Sequence, residues 1–324
     1  MRVTELDYEL PGELIAQRPL KRRDDSRLLV YRRRLRQVAH HKIDDLPDLL
    51  AASDTVVVND SRVIRARVRA RRPGGGKAEV LLVEQGKDGT WEALARPSRK
   101  LRAGLVLSCE QSVDAADASI ELIERTGDGG WRVKLIGHPT GETPTPPYIT
   151  EMLVDEERYQ TVYGTAPGSV AAPTAGLHFT QGLLERLTPV RLTLHVGPDT
   201  FRPLSAEMLA GHALAGERYE VAADAWRRIH DAERVVAVGT TSVRVIETVA
   251  AGEPLKGRTR LLIEPGHRFR RVDALLTNFH LPRSTLLALV MAFIGVEETR
   301  RLYEVAITER YRFYSFGDAM LMLP

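Results

Sequence analysis

The chain has 324 residues, 43% hydrophobic and 27% charged, with 46 basic against 43 acidic side chains and a net charge of +3. These values describe a globular chain of roughly two domains at about 150 residues each, and they exclude collagen-like, low-complexity and disordered classes. One cysteine, Cys109, excludes an intrachain disulfide or a multi-cysteine metal site and fits a reducing, cytoplasmic setting.

The first residues lack an apolar core, so no secretory signal is expected. Residues 18–36 carry nine basic residues and two acids, and residues 62–77 carry seven basic residues and no acid. The rest of the chain is therefore net acidic, and clustered arginine of this kind points to a phosphate-rich partner. Between the two windows, Thr55 to Val58 is a continuous β-branched run. It reads as a strand buried on both faces of a sheet. Arg65, Arg67, Arg69 and Arg71 then alternate with Ala66, Val68 and Ala70. At a strand's period of two, the spacing places all four guanidinium groups on one face, with a solvated strand face as the alternative to nucleic-acid binding.

Short β-like segments follow at 63–70, 79–83, 91–95, 105–107, 119–124 and 131–135, separated by Gly-, Pro- and Asp-rich turns. They predict a small antiparallel barrel or sandwich. Residues 137–147, with four prolines and two glycines, read as a semi-rigid hinge. Beyond it, helices are predicted at 180–187, 223–232, 241–251, 284–294 and 297–310, and strands at 190–196, 234–238, 259–263 and 272–276. This alternation implies α/β layers. The fold class expected is a discontinuous α/β layered domain (1–61 and 148–324) that carries the active site, with an inserted small antiparallel β-barrel domain and hinge (62–147). The longest apolar run, Leu286 to Ile294, has nine residues. A spanning helix needs about 20, so no membrane partner is expected.

Four segments have the composition of α/β ligand sites. Tyr159 to Thr180 is a long small-residue loop running into a helix start, where free N–H groups suit an anion. Val235 to Arg244 is an apolar strand entering Gly239-Thr240-Thr241-Ser242, the kind of strand end where open sheets bind ligands. Thr241 or Ser242 could equally cap the helix, and Arg244 in the first helical turn opposes the helix dipole, which calls for a carboxylate or phosphate partner. Leu275 to Thr285 repeats the strand–loop–helix pattern with Asn278 and His280. Tyr311 to Asp318 reads as a stacking platform or a packed corner. P-loop, His-Glu-x-x-His, Gly-x-Ser-x-Gly and dinucleotide-binding patterns are absent from the sequence.

The motifs LPGELIAQ (10–17), RDDSRLLV (23–30), VVNDSRVIRARV (57–68), ERYQTVYGTAPGSVAAPTAGLHFT (157–180), GTTSVR (239–244), LLTNFHLPRSTLLALVMAFIG (275–295) and YRFYSFGDAML (311–321) closely resemble the S-adenosylmethionine:tRNA ribosyltransferase-isomerase family of bacterial queuosine biosynthesis. The resemblance implies an α/β domain with an inserted β-barrel. It also implies transfer and isomerisation of the ribosyl group of S-adenosylmethionine onto 7-aminomethyl-7-deazaguanine at the tRNA wobble position. The products would be epoxyqueuosine-tRNA, adenine and methionine. It implies no cofactor beyond S-adenosylmethionine as co-substrate and no metal; a monomer is expected. On the matched motifs, His178 and His280 become the acid–base candidates. Thr174, Thr240, Thr241, Ser242, Arg244 and Asn278 become the substrate-binding candidates, and Arg65, Arg67, Arg69 and Arg71 the tRNA-binding ones. Two places depart from the family pattern: Pro198-Asp199 stands where the family is glycine-rich, and Ala215 replaces the second His of the run beginning at His212. A non-catalytic RNA-binding protein and an ordinary methyltransferase are the competing readings.

Overall fold

A computed structural model describes residues 1–113, 117–127, 129–151, 153–198, 207–209 and 214–324. In chain order it holds strands β1 (Arg27–Arg32) and β2 (Gln37–Lys42), helix α1 (Leu46–Leu49), then β3 (Asp54–Asn59) and β4 (Ser61–Val63). Six strands follow: β5 (Arg67–Arg71), β6 (Lys77–Gln85), β7 (Trp91–Arg96), β8 (Val106–Cys109), β9 (Ser119–Arg125) and β10 (Trp131–Ile136). The remainder runs β11 (Ala166–Ser169), α2 (Gln181–Leu187), β12 (Val190–Leu194), β13 (Glu217–Glu220), α3 (Ala223–Asp231), β14 (Arg234–Val238), α4 (Thr240–Ala250) and β15 (Lys256–Thr259). It ends with β16 (Ala274–Asn278), α5 (Thr285–Ile294), α6 (Val296–Thr308) and β17 (Ala319–Leu323).

Two compact units result: residues 1–62, 146–166 and 172–324, and residues 63–145 with 167–171. The first unit is built on a nine-stranded sheet in the order β15-β13-β12-β3-β14-β16-β17-β1-β2. Its centre is parallel, with β3 paired to both β12 and β14, and β14 to β16. A strand in that place is covered on both faces, which is why Val56, Val57 and Val58 are all buried. One face packs Val56, Val58, Val236, Val238 and Leu276 against Phe179, Leu183 and Leu184. In α5, Ser284 caps the first turn by accepting from the Leu287 N–H at 3.2 Å. Gly295 at φ +92° separates α5 from α6.

The second unit is a closed antiparallel barrel in the order β10-β7-β6-β5-β8-β9. Val68, Val80, Leu107, Ile120, Leu122 and Val133 point inward and are fully covered together with Trp131. The predicted strand at 63–70 is broken: Ile64 donates to the Ser169 carbonyl, Ala66 donates back to Ile64, and β5 starts only at Arg67. Arg65 therefore lies outside the strand and does not share its register with the other three arginines. The proline-rich stretch read as a hinge is tied to the barrel up to residue 145: Glu142 and Arg67 exchange backbone bonds, Thr140 donates to Gln111, and the Arg67 guanidinium donates to the Thr145 carbonyl at 3.0 Å. A Cβ on Gly141 would stand 1.9 Å from the Arg65 carbonyl oxygen. In the first unit, the strand expected at 259–263 forms instead at Lys256–Thr259. It is an edge strand fixed by pairing with β13, and its charged residues hide it from a search for apolar runs.

Candidate active site

A pocket opens at the C-terminal ends of the parallel strands, where α/β sheets place their ligands. Its walls are the 172–175 segment, Val196 after β12, Gly239 to Thr241 after β14, Thr277 to Leu281 at the end of β16, Ser284 and Leu286 at the start of α5, and Tyr148, Tyr314 and Ser315. Three separate stretches of sequence converge because their strands end on the same edge of the sheet.

Gly239 makes the turn from β14 into α4 at φ +84°, a conformation costly for any side chain. Among the described residues, no side chain caps α4, so the first-turn N–H groups beside Thr240 and Thr241 are available to a ligand oxygen. Thr241 Oγ1 accepts from Asn59 Nδ2 at 3.3 Å. Asn59 also donates to the Leu194 carbonyl at 3.0 Å and accepts from the Leu194 and Ser61 N–H groups. Asn59 thus ties β3, β12 and α4 together beneath the pocket. Reading the sequence missed it, although it ends the buried Val56–Val58 run, where an amide is out of keeping with its surroundings.

Of the predicted substrate-binding residues, Thr174, Thr240, Thr241, Arg244 and Asn278 line the pocket. Ser242 does not. Its hydroxyl donates to the Val238 carbonyl at 2.7 Å inside the helix–strand packing, and the residue is fully buried. Helical phase turns it away from the ligand side of α4. Arg244 has the acidic partner that its position demands, and the protein supplies it: Glu217 pairs with the guanidinium, which also donates to the carbonyls of Leu261 at 3.0 Å and Thr259 at 3.4 Å. Glu217 accepts from the Gly197 N–H at 2.8 Å as well. Both charged side chains are nearly buried, and the pair adds no net charge to the wall.

His280 lines the pocket. One ring nitrogen shares a 2.7 Å hydrogen bond with Thr277 Oγ1. Its backbone is held on both sides, by the Tyr303 hydroxyl accepting from its N–H at 2.9 Å and by the Tyr8 hydroxyl donating to its carbonyl. Burial pushes its pKa down to about 3, so the imidazole is neutral at pH 7. His178 is placed differently. It closes the one-turn helix Thr174–His178 and faces a small recess with Arg23, Arg158 and Ser315. Burial lowers its pKa to about 4, with the Asn278 amide opposing the shift. The two histidines paired as acid and base from the motifs therefore do not line one pocket.

Asn278 links the two regions. Its Nδ2 donates to the Tyr314 carbonyl at 2.8 Å; its Oδ1 and His178 Nε2 are both buried without a hydrogen bond of normal geometry among the described residues, although the amide is near enough to raise the His178 pKa against the effect of burial. Tyr314 itself has φ +71°, an outlier for a bulky residue. Its ring lies 4.8 Å from that of Tyr148, whose hydroxyl meets Ser315 Oγ at 2.7 Å. Strain and an unmet acceptor in one wall are the marks of a site shaped for a ligand. The C-terminal aromatic segment is thus both a packed corner (Phe313 and Phe316 are buried) and, at Tyr314, part of the pocket wall.

The barrel arginines are less available than their spacing implies. Arg67 pairs with Glu79 at 3.8 Å, Arg69 with Glu142 at 2.9 Å and Arg71 with Glu110 at 3.1 Å. Of the first basic window, Arg18 pairs with Glu151, Arg22 with Asp24 and Arg36 with Glu298. Apart from Asp24, which lies in the same window, these acids come from elsewhere in the fold and balance charges that look uncompensated in the sequence. Among the described residues, no three His, Cys, Asp or Glu side chains converge as metal ligands, and no helix is long and apolar enough to cross a membrane. Asp199 and His212 lie outside the described residues; Pro198 is half-buried and Ala215 exposed.

Fold and site together define a two-unit α/β enzyme with a barrel in its chain and a strand-end pocket of neutral polar groups. The sequence model of the family described as queuosine biosynthesis protein matches residues 3–322, and the chain belongs to that family. Among its relatives, an S-adenosylmethionine:tRNA ribosyltransferase-isomerase from Rubrobacter xylanophilus is 50% identical over 333 residues, covering 100% of this chain and 98% of the relative. One of the same name from Thermus thermophilus is 48% identical over 343 residues, covering 98% of each. The crystal structure of S-adenosylmethionine tRNA ribosyltransferase from Thermotoga maritima aligns with a TM-score of 0.56 at 37% identity, covering 98% of this chain and 100% of that one.

Proposed function

We propose that this transferase moves the ribosyl group of S-adenosylmethionine onto the aminomethyl group of 7-aminomethyl-7-deazaguanine at the wobble position of tRNA and isomerises it. The products are epoxyqueuosine-tRNA, adenine and methionine. The observation that carries the reading is the charge of the pocket. His280 is neutral there, and Glu217 offsets Arg244. The described wall therefore does not repel a sulfonium cation, as an imidazolium or an unpaired arginine would.

The roles follow from donors and acceptors. A sulfonium acidifies the neighbouring ribose carbon, and His280 is the imidazole lining the pocket with an electron pair for that proton, although its pKa of about 3 makes it a weak base in the free protein. The Thr277 hydroxyl at its ring fixes the orientation. Asn278 lines the pocket and offers its amide to the purine. Thr240, Thr241 and the open turn of α4 are placed for ribose hydroxyls or the amino-acid carboxylate. His178, beside Asn278 but outside the pocket, positions that amide.

The test is product analysis with S-adenosylmethionine and tRNA carrying 7-aminomethyl-7-deazaguanine, against tRNA with guanine at that position. Adenine and methionine formed with the modified tRNA alone support the assignment. Formation of S-adenosylhomocysteine makes the chain a methyltransferase, and tRNA binding without any product makes it a binding protein.

A further inference from the structure

We propose that Tyr8 is a positioning residue for His280, and that residues 5–8 form a strap that fixes the loop carrying this imidazole into the pocket. The role in the reaction rests on the proposed function; the anchoring does not.

His280 lies just past the end of β16, in neither helix nor strand, yet it is buried. A buried peptide outside regular structure needs partners for its N–H and its carbonyl from elsewhere. Both partners are phenols. The Tyr303 hydroxyl accepts from the His280 N–H at 2.9 Å, and the Tyr8 hydroxyl donates to the His280 carbonyl. The two rings meet edge to face with centroids 5.1 Å apart. Tyr303 is part of α6, whereas Tyr8 arrives from 272 residues away in sequence. Burial and the neighbouring phenols raise the Tyr8 pKa, so the hydroxyl keeps the proton that it donates.

Four consecutive residues of the strap hold the same region. The Glu5 carbonyl accepts from Arg300 of α6 at 2.9 Å. The Leu6 carbonyl accepts from the Arg283 N–H at 2.9 Å, and the Asp7 carboxylate accepts from Arg283 Nε at 2.8 Å. Tyr8 completes the series at His280. Leu6 is fully buried, so the strap is seated by packing as well as by polar bonds. Arg283 has φ +53°, a conformation uncommon for a side chain of its size. Such a conformation persists where surrounding contacts over-determine it, and here the strap binds both its N–H and its guanidinium. His280 and Arg283 bracket the turn that leads into α5, and the strap grips both ends of it.

The imidazole is thus constrained twice. Thr277 Oγ1, 2.7 Å from a ring nitrogen, sets its rotation; the strap sets where its backbone sits. Tyr8 is not among the residues lining the pocket, so it acts on the reaction through His280. A reacting group misplaced by about 1 Å costs about 10²-fold in rate. Loss of one of the two phenol anchors should cost less, about 10-fold.

The experiment compares Tyr8→Phe with Tyr31→Phe in the full chain. The first keeps its ring against Tyr303 and loses only the donor. The second also removes a phenol bonded to α6, through Glu298 at 2.7 Å, but from a residue that does not line the pocket. The readouts are nitrogen NMR of histidine-labelled protein, with the His280 ring assigned through His280→Asn, and single-turnover adenine release beside S-adenosylmethionine binding. Tyr8→Phe is expected to move the His280 ring resonances and to slow release about 10-fold, with affinity for S-adenosylmethionine held within about 2-fold. Tyr31→Phe should change none of these. Asp7→Ala, at an exposed ion pair, should speed amide exchange at Arg283 and slow release by no more than about 5-fold. Unmoved His280 resonances in Tyr8→Phe, moved resonances with unchanged release, or an equal loss in Tyr31→Phe overturn the proposal. A wild-type chain that releases no adenine removes the proposed function, and the His280 resonances alone then decide whether Tyr8 positions the ring.

Discussion

The barrel and the strand-end pocket treat polar groups in opposite ways. On barrel strand β5, every arginine meets a glutamate from a neighbouring segment, and the alternate residues Val68 and Ala70 fill the core. In the pocket wall and the recess beside it, a buried Asn278 oxygen has no well-formed hydrogen bond among the described residues, Tyr314 is held at φ +71°, and two buried histidines are kept neutral at pH 7. The β5 face pairs its charges, although Arg67 Nε is buried without a hydrogen bond among the described residues, whereas the pocket wall and recess add a strained tyrosine and neutral buried histidines to their unmet acceptor. That difference locates function better than charge density does.

The contrast breaks most sharply at the two histidines. His280→Asn should lower adenine release by about 10²–10⁴-fold, the usual contribution of a proton-transfer group. His178→Asn should cost much less, because it acts through Asn278. Single-turnover product formation measures both, and equal losses would erase the distinction between pocket and recess. Next in size is Glu217→Ala. It strands a nearly buried Arg244 and should cost on the order of 3 kcal/mol in denaturant unfolding, with Glu217→Gln milder because the amide still accepts.

Acid sharpens the comparison further. Both histidines have folded pKa values below the unfolded value of about 6.5, at about 4 and about 3. The unfolded chain then binds more protons below pH 6.5, so stability from these groups is complete above that pH and falls as the pH drops toward 4. Each contributes a slope of up to about 1.4 kcal/mol per pH unit. The pH dependence of the unfolding free energy across that window should flatten in His178→Asn and in His280→Asn. The smallest effect belongs to the barrel: Arg69→Ala/Arg71→Ala removes two exposed ion pairs and should change stability by no more than about 1 kcal/mol per pair. Thermal unfolding beside the wild type checks it.

Much of this fold was legible in local pattern. The Val56–Val58 run, the strand–helix alternation after residue 180 and the turn-rich β segments each needed only near neighbours in sequence. The pocket loops were legible for a related reason. An apolar strand running into Gly239-Thr240-Thr241 or Thr277-Asn278 places small polar groups where backbone N–H groups become free. The rest depended on distant partners. Glu217 reaches Arg244 from 27 residues away, and Glu142 reaches Arg69 from 73. Ser242 differs from Thr241 only by helical phase. His178 and His280 look alike in their motifs, yet packing gives only His280 a place in the pocket.

Amide hydrogen exchange with and without S-adenosylmethionine tests the central claim most directly, since a ligand protects the backbone it holds. Protection is expected at residues 239–242 and 278–281, with barrel strands β5 to β10 unchanged. Protection confined to the barrel, or to the recess around Arg23, Arg158 and His178, would contradict the assignment of the pocket.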